Sequence, residues 1–137
     1  MNFLFDHNTP PSWARSLDSL SKDKFDQKVG QVISLRDKFP INAKDTDWLN
    51  TLGEEGNWAV VSCDFFRKTK AERELIRQHG LSVFVLGKSW TDKHQFWPRT
   101  AQLIMWWPRI VEQANSVSNA AFEVPWRVSG KFSLIRI

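Results

Sequence analysis

Three short apolar stretches of this chain run on into acidic residues. Phe3-Leu4-Phe5 ends on Asp6, the stretch Val32 to Leu35 is followed by Asp45 and Asp47, and Ala59-Val60-Val61-Ser62-Cys63 ends on Asp64. In a parallel sheet the strand C-termini share one edge, so acids far apart in sequence converge there. Carboxylates gathered with no nearby base oppose one another's ionisation, and a hard divalent cation relieves that cost. Asp6, Asp45 and Asp64 are therefore the candidate catalytic and metal-ligating residues, with Asp47 as a further possible ligand. The expected cofactor is Mg²⁺ or Mn²⁺ and the expected chemistry is that of phosphates. In such a site a bound ion polarises a phosphodiester oxygen and acidifies the water that attacks phosphorus. Taken singly, each acid has an ordinary use, as a turn former (Asp6), a helix cap (Asp45) or a first-turn acid (Asp47). Only their joint placement points to a metal.

Other residues fit around that edge. Ser62, two residues before Asp64, can orient a carboxylate or a bound water, or simply bond to the strand backbone. Arg36, Arg67 and Lys68 flank the strand exits and are the candidate contacts to the phosphates of a bound RNA strand. Lys70 and Lys88 lie nearby, and solvated loop charge is the plainer use of all five. His7, beside Asp6, is a general acid, a substrate contact or an ordinary surface histidine. Eight tryptophans are many for 137 residues. Stacking of bases is one use for them, and packing in a core or at a partner surface is the commoner one.

Positioning these residues takes alternating elements. Phe3 to Phe5 reads as a buried strand, and Thr9-Pro10-Pro11 as a helix start with Thr9 at the cap. Trp13, Leu17 and Leu20 continue that helix, and Val29 to Leu35 reads as a second strand. Arg36 to Lys44, with Phe39-Pro40, reads as a loop. Asp45 then caps a helix carrying Trp48, Leu49 and Leu52 that ends near Gly56. Trp58 to Cys63 is nearly all apolar, as a central parallel strand is. Thr69-Lys70-Ala71-Glu72 has the form of a capping box for a helix ending at Gly80. Leu81 to Leu86 is a fourth strand, and Thr91 caps a long helix interrupted by Pro98 and Pro108. Two strands around Ser129-Gly130 complete the chain. Strand and helix alternate four times, which predicts an α/β sandwich with a mostly parallel sheet.

Size and composition agree with a single domain over 1–137, an α/β core and long helix to 114 and an extension over 115–137. Hydrophobic content is 42%, charged content 25% and formal net charge +4. The basic excess favours polyanionic partners. One cysteine, Cys63, excludes an intramolecular disulfide and fits a reducing cytoplasm. The three histidines lack ligand spacing, so no zinc site is expected. The N-terminus does not read as a signal peptide. No apolar run approaches the roughly 20 residues of a membrane span.

The ordered run Phe-Leu-Phe-Asp6-His-Asn8-Thr-Pro-Pro, Val-Ile-Ser-Leu-Arg36-Asp-Lys-Phe-Pro, Asp45-Thr-Asp47-Trp-Leu and Val-Val-Ser62-Cys-Asp64 resembles the PIN-like domain family of VapC-type toxins. The likeness extends through Ala71-Glu72-Arg73, the segment Trp106 to Ala114, and Phe122 to Trp126. It implies a PIN-like three-layer α/β/α sandwich with a C-terminal β-hairpin. It also implies Mg²⁺- or Mn²⁺-dependent cleavage of RNA as the toxin of a type II toxin–antitoxin pair, hence a cognate antitoxin as partner. By position, Asp6 matches the acid ending the first strand. Asp45, with Asp47, matches the acidic start of the second helix, and Ser62 and Asp64 the hydroxyl-x-acid pair after the third strand. Glu72 is the candidate fourth acid, and Asn8 joins Ser62 in support. His7 stands where the family pattern has a second acid, which leaves a catalytically weak or inactive module binding RNA or a protein as the alternative. A homodimer through the Trp-rich helix is a further expectation. A third reading, a phospho-receiver with Asp64 as acceptor, lacks the acidic pair it needs after the first strand.

Overall fold

The computed structural model describes residues 1–64 and 68–137. Along the chain come β1 (Asn2–Phe5), α1 (Pro11–Ser21), β2 (Val32–Ser34), α2 (Leu35–Lys38), α3 (Asp45–Glu55) and β3 (Trp58–Ser62). They are followed by α4 (Lys70–His79), β4 (Ser82–Leu86), α5 (Lys88–Asp92), α6 (Phe96–Ser116), β5 (Ala121–Val124) and β6 (Ser133–Ile135). The strands form one sheet in the order β2-β1-β3-β4-β5-β6. Every neighbouring pair is parallel except β5 with β6, which close the C-terminal hairpin antiparallel.

Alternation along the strands builds the layers, because successive side chains leave a strand on opposite faces. Phe3, Phe5 and Val61 face one side, where they meet Trp13 and Leu17 of α1 and Trp107 and Ile110 of α6. Leu4, Val60 and Val83 face the other, against Trp48, Leu49 and Leu52 of α3 and Ile76 of α4. Two helical layers therefore cover the parallel core of the sheet on both faces, the α/β/α sandwich that the family resemblance implies, while β6 is largely exposed. Trp13, Trp48, Trp58, Trp90, Trp106 and Trp107 are core residues, while Trp97 is 77% exposed. Packing thus accounts for six of the eight indoles, and Trp58, which lies on a strand, is among them.

Local chemistry explains where the elements start and stop. Thr69 caps α4 by accepting from the Glu72 backbone N–H at 3.2 Å, and Gly80 ends it in the left-handed region at φ 66°. Elsewhere the boundaries move. Thr9 does not cap α1: Pro10 holds the cap position, and the Thr9 hydroxyl donates instead to the Asp6 carbonyl at 2.7 Å. Pro11 has no N–H to offer a Thr9 cap, so the hydroxyl is free to turn back to the strand exit. The second strand is trimmed to Val32–Ser34, because the Ser34 hydroxyl accepts from Arg36 N–H at 3.1 Å and starts a short helix where a loop was expected. Asp45 is the first residue of α3 rather than its cap, which is Lys44. Thr91 lies within α5, and α6 starts separately at Phe96. Pro98 sits in the first turn of α6, where its missing N–H costs nothing, and Pro108 remains inside a helix that is not split. Among the described residues, no helix is long and apolar enough to cross a membrane.

Candidate functional site

With β1 lying between β2 and β3, the chain leaves β1 toward one side and later returns on the other. Open α/β sheets bind ligands in the crevice at such a reversal, beyond the strand C-termini. Asp6 and Asp64 both emerge there. The Asp6 N–H still bonds to the Val61 carbonyl at 2.9 Å, so its carboxylate is positioned by the sheet itself. Asn8 Oδ1 accepts from the Cys63 N–H at 3.2 Å and clamps the two strand exits together.

The Asp6 side chain is fully buried, and it is satisfied on both oxygens. Oδ1 accepts from the His7 backbone N–H at 2.6 Å and lies 2.7 Å from His7 Nδ1. Oδ2 accepts from the Ser62 hydroxyl at 3.2 Å and from the Lys68 ammonium at 3.4 Å. The same ammonium stands 2.8 Å from Asp64 Oδ2. Ser62 Oγ also accepts from the Asp64 N–H at 3.2 Å. Asp6, Ser62 and Lys68, all buried, therefore form one cluster with the partly buried Asp64.

Lys68 changes the electrostatic premise. The acids do not gather without a base: a lysine with only 2% of its side chain exposed is set between two of them. Burial alone would lower its pKa. The charge of Asp6, the hydrogen bond and charge of Asp64, and the charge of Asp45 outweigh that and hold it above its ordinary value. The Lys68 ammonium also lies 5.6 Å from the centre of the Trp48 ring, within cation–π range. Rather than facing solvent as a phosphate contact, Lys68 is turned inward.

A cleft of about 840 Å³ opens beside this cluster, and His7, Arg36, Lys44, Asp45, Thr69 and Glu72 are among its lining residues. His7 joins the two, since its ring touches Asp6 and is 55% exposed. Asp45 accepts from the Trp48 indole N–H at 3.0 Å, which aims its carboxylate. Asp47, two residues on, is exposed and does not line the cleft. Glu72 is buried in the first turn of α4 and lines the cleft. Arg36 is exposed on its rim, with one guanidinium nitrogen 3.5 Å from the His7 carbonyl. Arg67 lies outside the described residues. Burial first, then Asp64 and Asp6, push the Cys63 thiol up to about 12 against the opposing pull of Arg99, which disfavours the thiolate.

Does this arrangement fit a divalent ion? In donor chemistry it does. Two carboxylates from different strand exits converge on one cation, and hard oxygen ligands are what Mg²⁺ and Mn²⁺ take. The cation they converge on is an ammonium, however. Among the described residues, no three Asp, Glu, His or Cys side chains are arranged around a single ion position. The sequence reading found both acids but missed the inward turn of Lys68. Its one available signal was the four-residue spacing from Asp64 to Lys68.

Residues 1–88 match the model of a family described as "PIN like domain". The matched region includes Asp6, Asp45, Ser62, Asp64, Lys68 and Glu72, and stops short of α6 and the C-terminal hairpin. No curated protein and no solved structure matches the chain. On the strength of that match over its first 88 residues, the chain belongs to the PIN-like domain family, whose members are in general nucleases.

Proposed function

We propose that this protein is a metal-dependent endoribonuclease, the toxin of a type II toxin–antitoxin pair, acting in the cytoplasm. The observation that carries the reading is the convergence of Asp6 and Asp64 on one cation position at the β1/β3 crevice. Asp6 and Asp64 are the residues that would hold Mg²⁺ or Mn²⁺, with Asp45 and Glu72 on the adjoining cleft wall. When bound, such an ion supplies Lewis acidity and a water of lowered pKa for attack on a phosphodiester.

The chain's own residues do the rest. Ser62 and the His7 N–H hold the Asp6 carboxylate in place, and its burial keeps solvent from competing for it. Arg36 and Lys44 on the cleft wall attract phosphates, and the net +4 charge steers a polyanion toward the protein. His7 lines the cleft with a half-exposed ring whose Nδ1 faces Asp6, a placement suited to proton exchange with substrate. Trp97, Ile104 and Met105 form an exposed apolar face on α6, which supports contact with an antitoxin or a second copy.

One observation favours a second reading. Lys68 already neutralises part of the carboxylate charge, as suits a catalytically weak or inactive module that binds RNA or a protein partner. RNA cleavage with Mg²⁺ or Mn²⁺ separates the two. The nuclease reading predicts cleavage by the wild type and its loss in Asp6→Asn and Asp64→Asn proteins that remain folded by circular dichroism. RNA binding without cleavage under either ion establishes the module instead.

A further inference from the structure

We propose that Lys68 is the resident counter-ion of the carboxylate site, and that its ammonium and a divalent cation occupy the position between Asp6 and Asp64 as alternatives. The inference rests on the reading of these acids as a nuclease's cation site. It starts from the occupancy of Asp6. A carboxylate has about four lone-pair directions. The His7 N–H and Nδ1 take up Oδ1, and Ser62 and Lys68 take up Oδ2. A further cation reaches Asp6 only where one of these partners leaves. Ser62 lies in β3 and the His7 N–H is backbone. The half-exposed His7 ring can turn away, but it frees only Oδ1, whereas Lys68 bonds Oδ2 and Asp64 and so fills the position between the two acids. Lys68 is held differently. Its carbonyl accepts from Arg73 Nε at 3.3 Å, and Thr69 beside it caps α4. The backbone is anchored while a flexible four-carbon stem carries the charge.

Charge argues the same way. An ammonium 2.8 Å from Asp64 and 3.4 Å from Asp6 leaves no room for an ion in the same place, and two cations at that separation repel strongly in a buried setting. Asp45, on the adjoining cleft wall, acts electrostatically on the same ammonium. Lys68 therefore offsets part of the charge of Asp6 and Asp64 without an ion, and it sets how tightly an ion is taken.

The experiment is a Mn²⁺ titration of wild type, Lys68→Met and the double variant Lys68→Met/Asp64→Asn. Electron paramagnetic resonance of free Mn²⁺ gives affinity, and thermal unfolding is measured in EDTA and in Mn²⁺. Lys68→Met is expected to bind Mn²⁺ at least about tenfold more tightly than wild type. It should also melt lower in EDTA, recover in Mn²⁺, and lose the added affinity in the double variant. Equal Mn²⁺ affinity in wild type and Lys68→Met overturns the proposal, as does added affinity that survives the loss of Asp64. If Lys68→Met does not fold in EDTA, wild type supplies the test through amine acylation read by mass spectrometry. Rising Mg²⁺ should make Lys68 reactive, and continued protection at saturating Mg²⁺ contradicts displacement. RNA cleavage by the wild type, assayed alongside, reports on the nuclease reading separately, since Mn²⁺ affinity and lysine reactivity do not depend on turnover.

Discussion

The Ser62 hydroxyl donates to Asp6 Oδ2 at 3.2 Å, tying the last residue of β3 to the first residue beyond β1. Ser62 Oγ also accepts from the Asp64 N–H, so one buried hydroxyl fixes both acids. Ser62→Ala removes an acceptor and a donor to a charged group at once. It should lower stability by about 1.5–3 kcal/mol, the range for a hydrogen bond to a charged partner. Denaturant unfolding measures this. RNA cleavage should fall with it, because Asp6 loses a bond that aims it. A Ser62→Ala protein with wild-type stability and activity contradicts the assignment.

The tryptophans divide into two kinds. Trp106 is fully buried, and its indole N–H donates to the Trp126 carbonyl at 3.3 Å. Trp106→Ala should cost about 3–5 kcal/mol, as large core truncations do. Trp97, 77% exposed at the start of α6, should leave stability within about 0.5 kcal/mol when changed to Ser. Chemical denaturation compares the two. If the α6 face seats an antitoxin or a second copy, Trp97→Ser weakens that association in light scattering without lowering the melting temperature.

How far these roles could be read from the sequence depends on how local their causes are. The Thr69 cap and the Gly80 stop of α4 each depend on residues within a turn of them: the Thr69 hydroxyl accepts from the Glu72 N–H, one half of a capping box, and Gly80 takes the left-handed conformation. The apolar run from Trp58 leading to Ser62 and Asp64 gave the central strand and its acidic exit, because burial on both faces leaves a continuous signature. Lys68 was misjudged for the opposite reason. A lysine's spacing does not say whether its stem turns outward or inward, and here the answer depends on Asp6, 62 residues away. Thr9 failed similarly: its hydroxyl answers the Asp6 carbonyl rather than the helix it precedes. That Asp45 lines the cleft and Asp47 does not is likewise a matter of the fold, since two residues of spacing do not tell them apart.

Alkaline pH should weaken the protein through Cys63. The thiol is held near 12 in the folded state against an ordinary value of 9.0. Between those values the unfolded chain gives up this proton while the folded chain keeps it, so stability falls as pH rises from 9.0 toward 12. Lys68, raised above its ordinary 10.5, acts in the same direction: its contribution is complete below that value and is lost as pH climbs through the folded one. Melting temperature followed across the alkaline range should drop, and Cys63→Ala should flatten the part that begins near 9.0. A thiol reagent at neutral pH should modify Cys63 only on unfolding, and rapid labelling of the native protein contradicts its burial.

Arg36 tests the cleft as a polyanion site. It sits exposed at the rim, beyond the end of β2. Arg36→Ala should weaken RNA binding by a similar factor across sequences and reduce the slope of log K against log salt by about 1, as loss of one phosphate contact does. Fluorescence anisotropy over a salt series measures both. An unchanged slope places the RNA elsewhere on the surface.

Asp6 and Asp64 form a single cation seat on this reading. Its most direct test is anomalous diffraction from Lys68→Met crystals grown with Mn²⁺. The predicted result is one strong peak within bonding distance of both carboxylates, in the space the lysine ammonium fills in the wild type. A peak bound elsewhere, or two carboxylates turned apart with no ion between them, contradicts it.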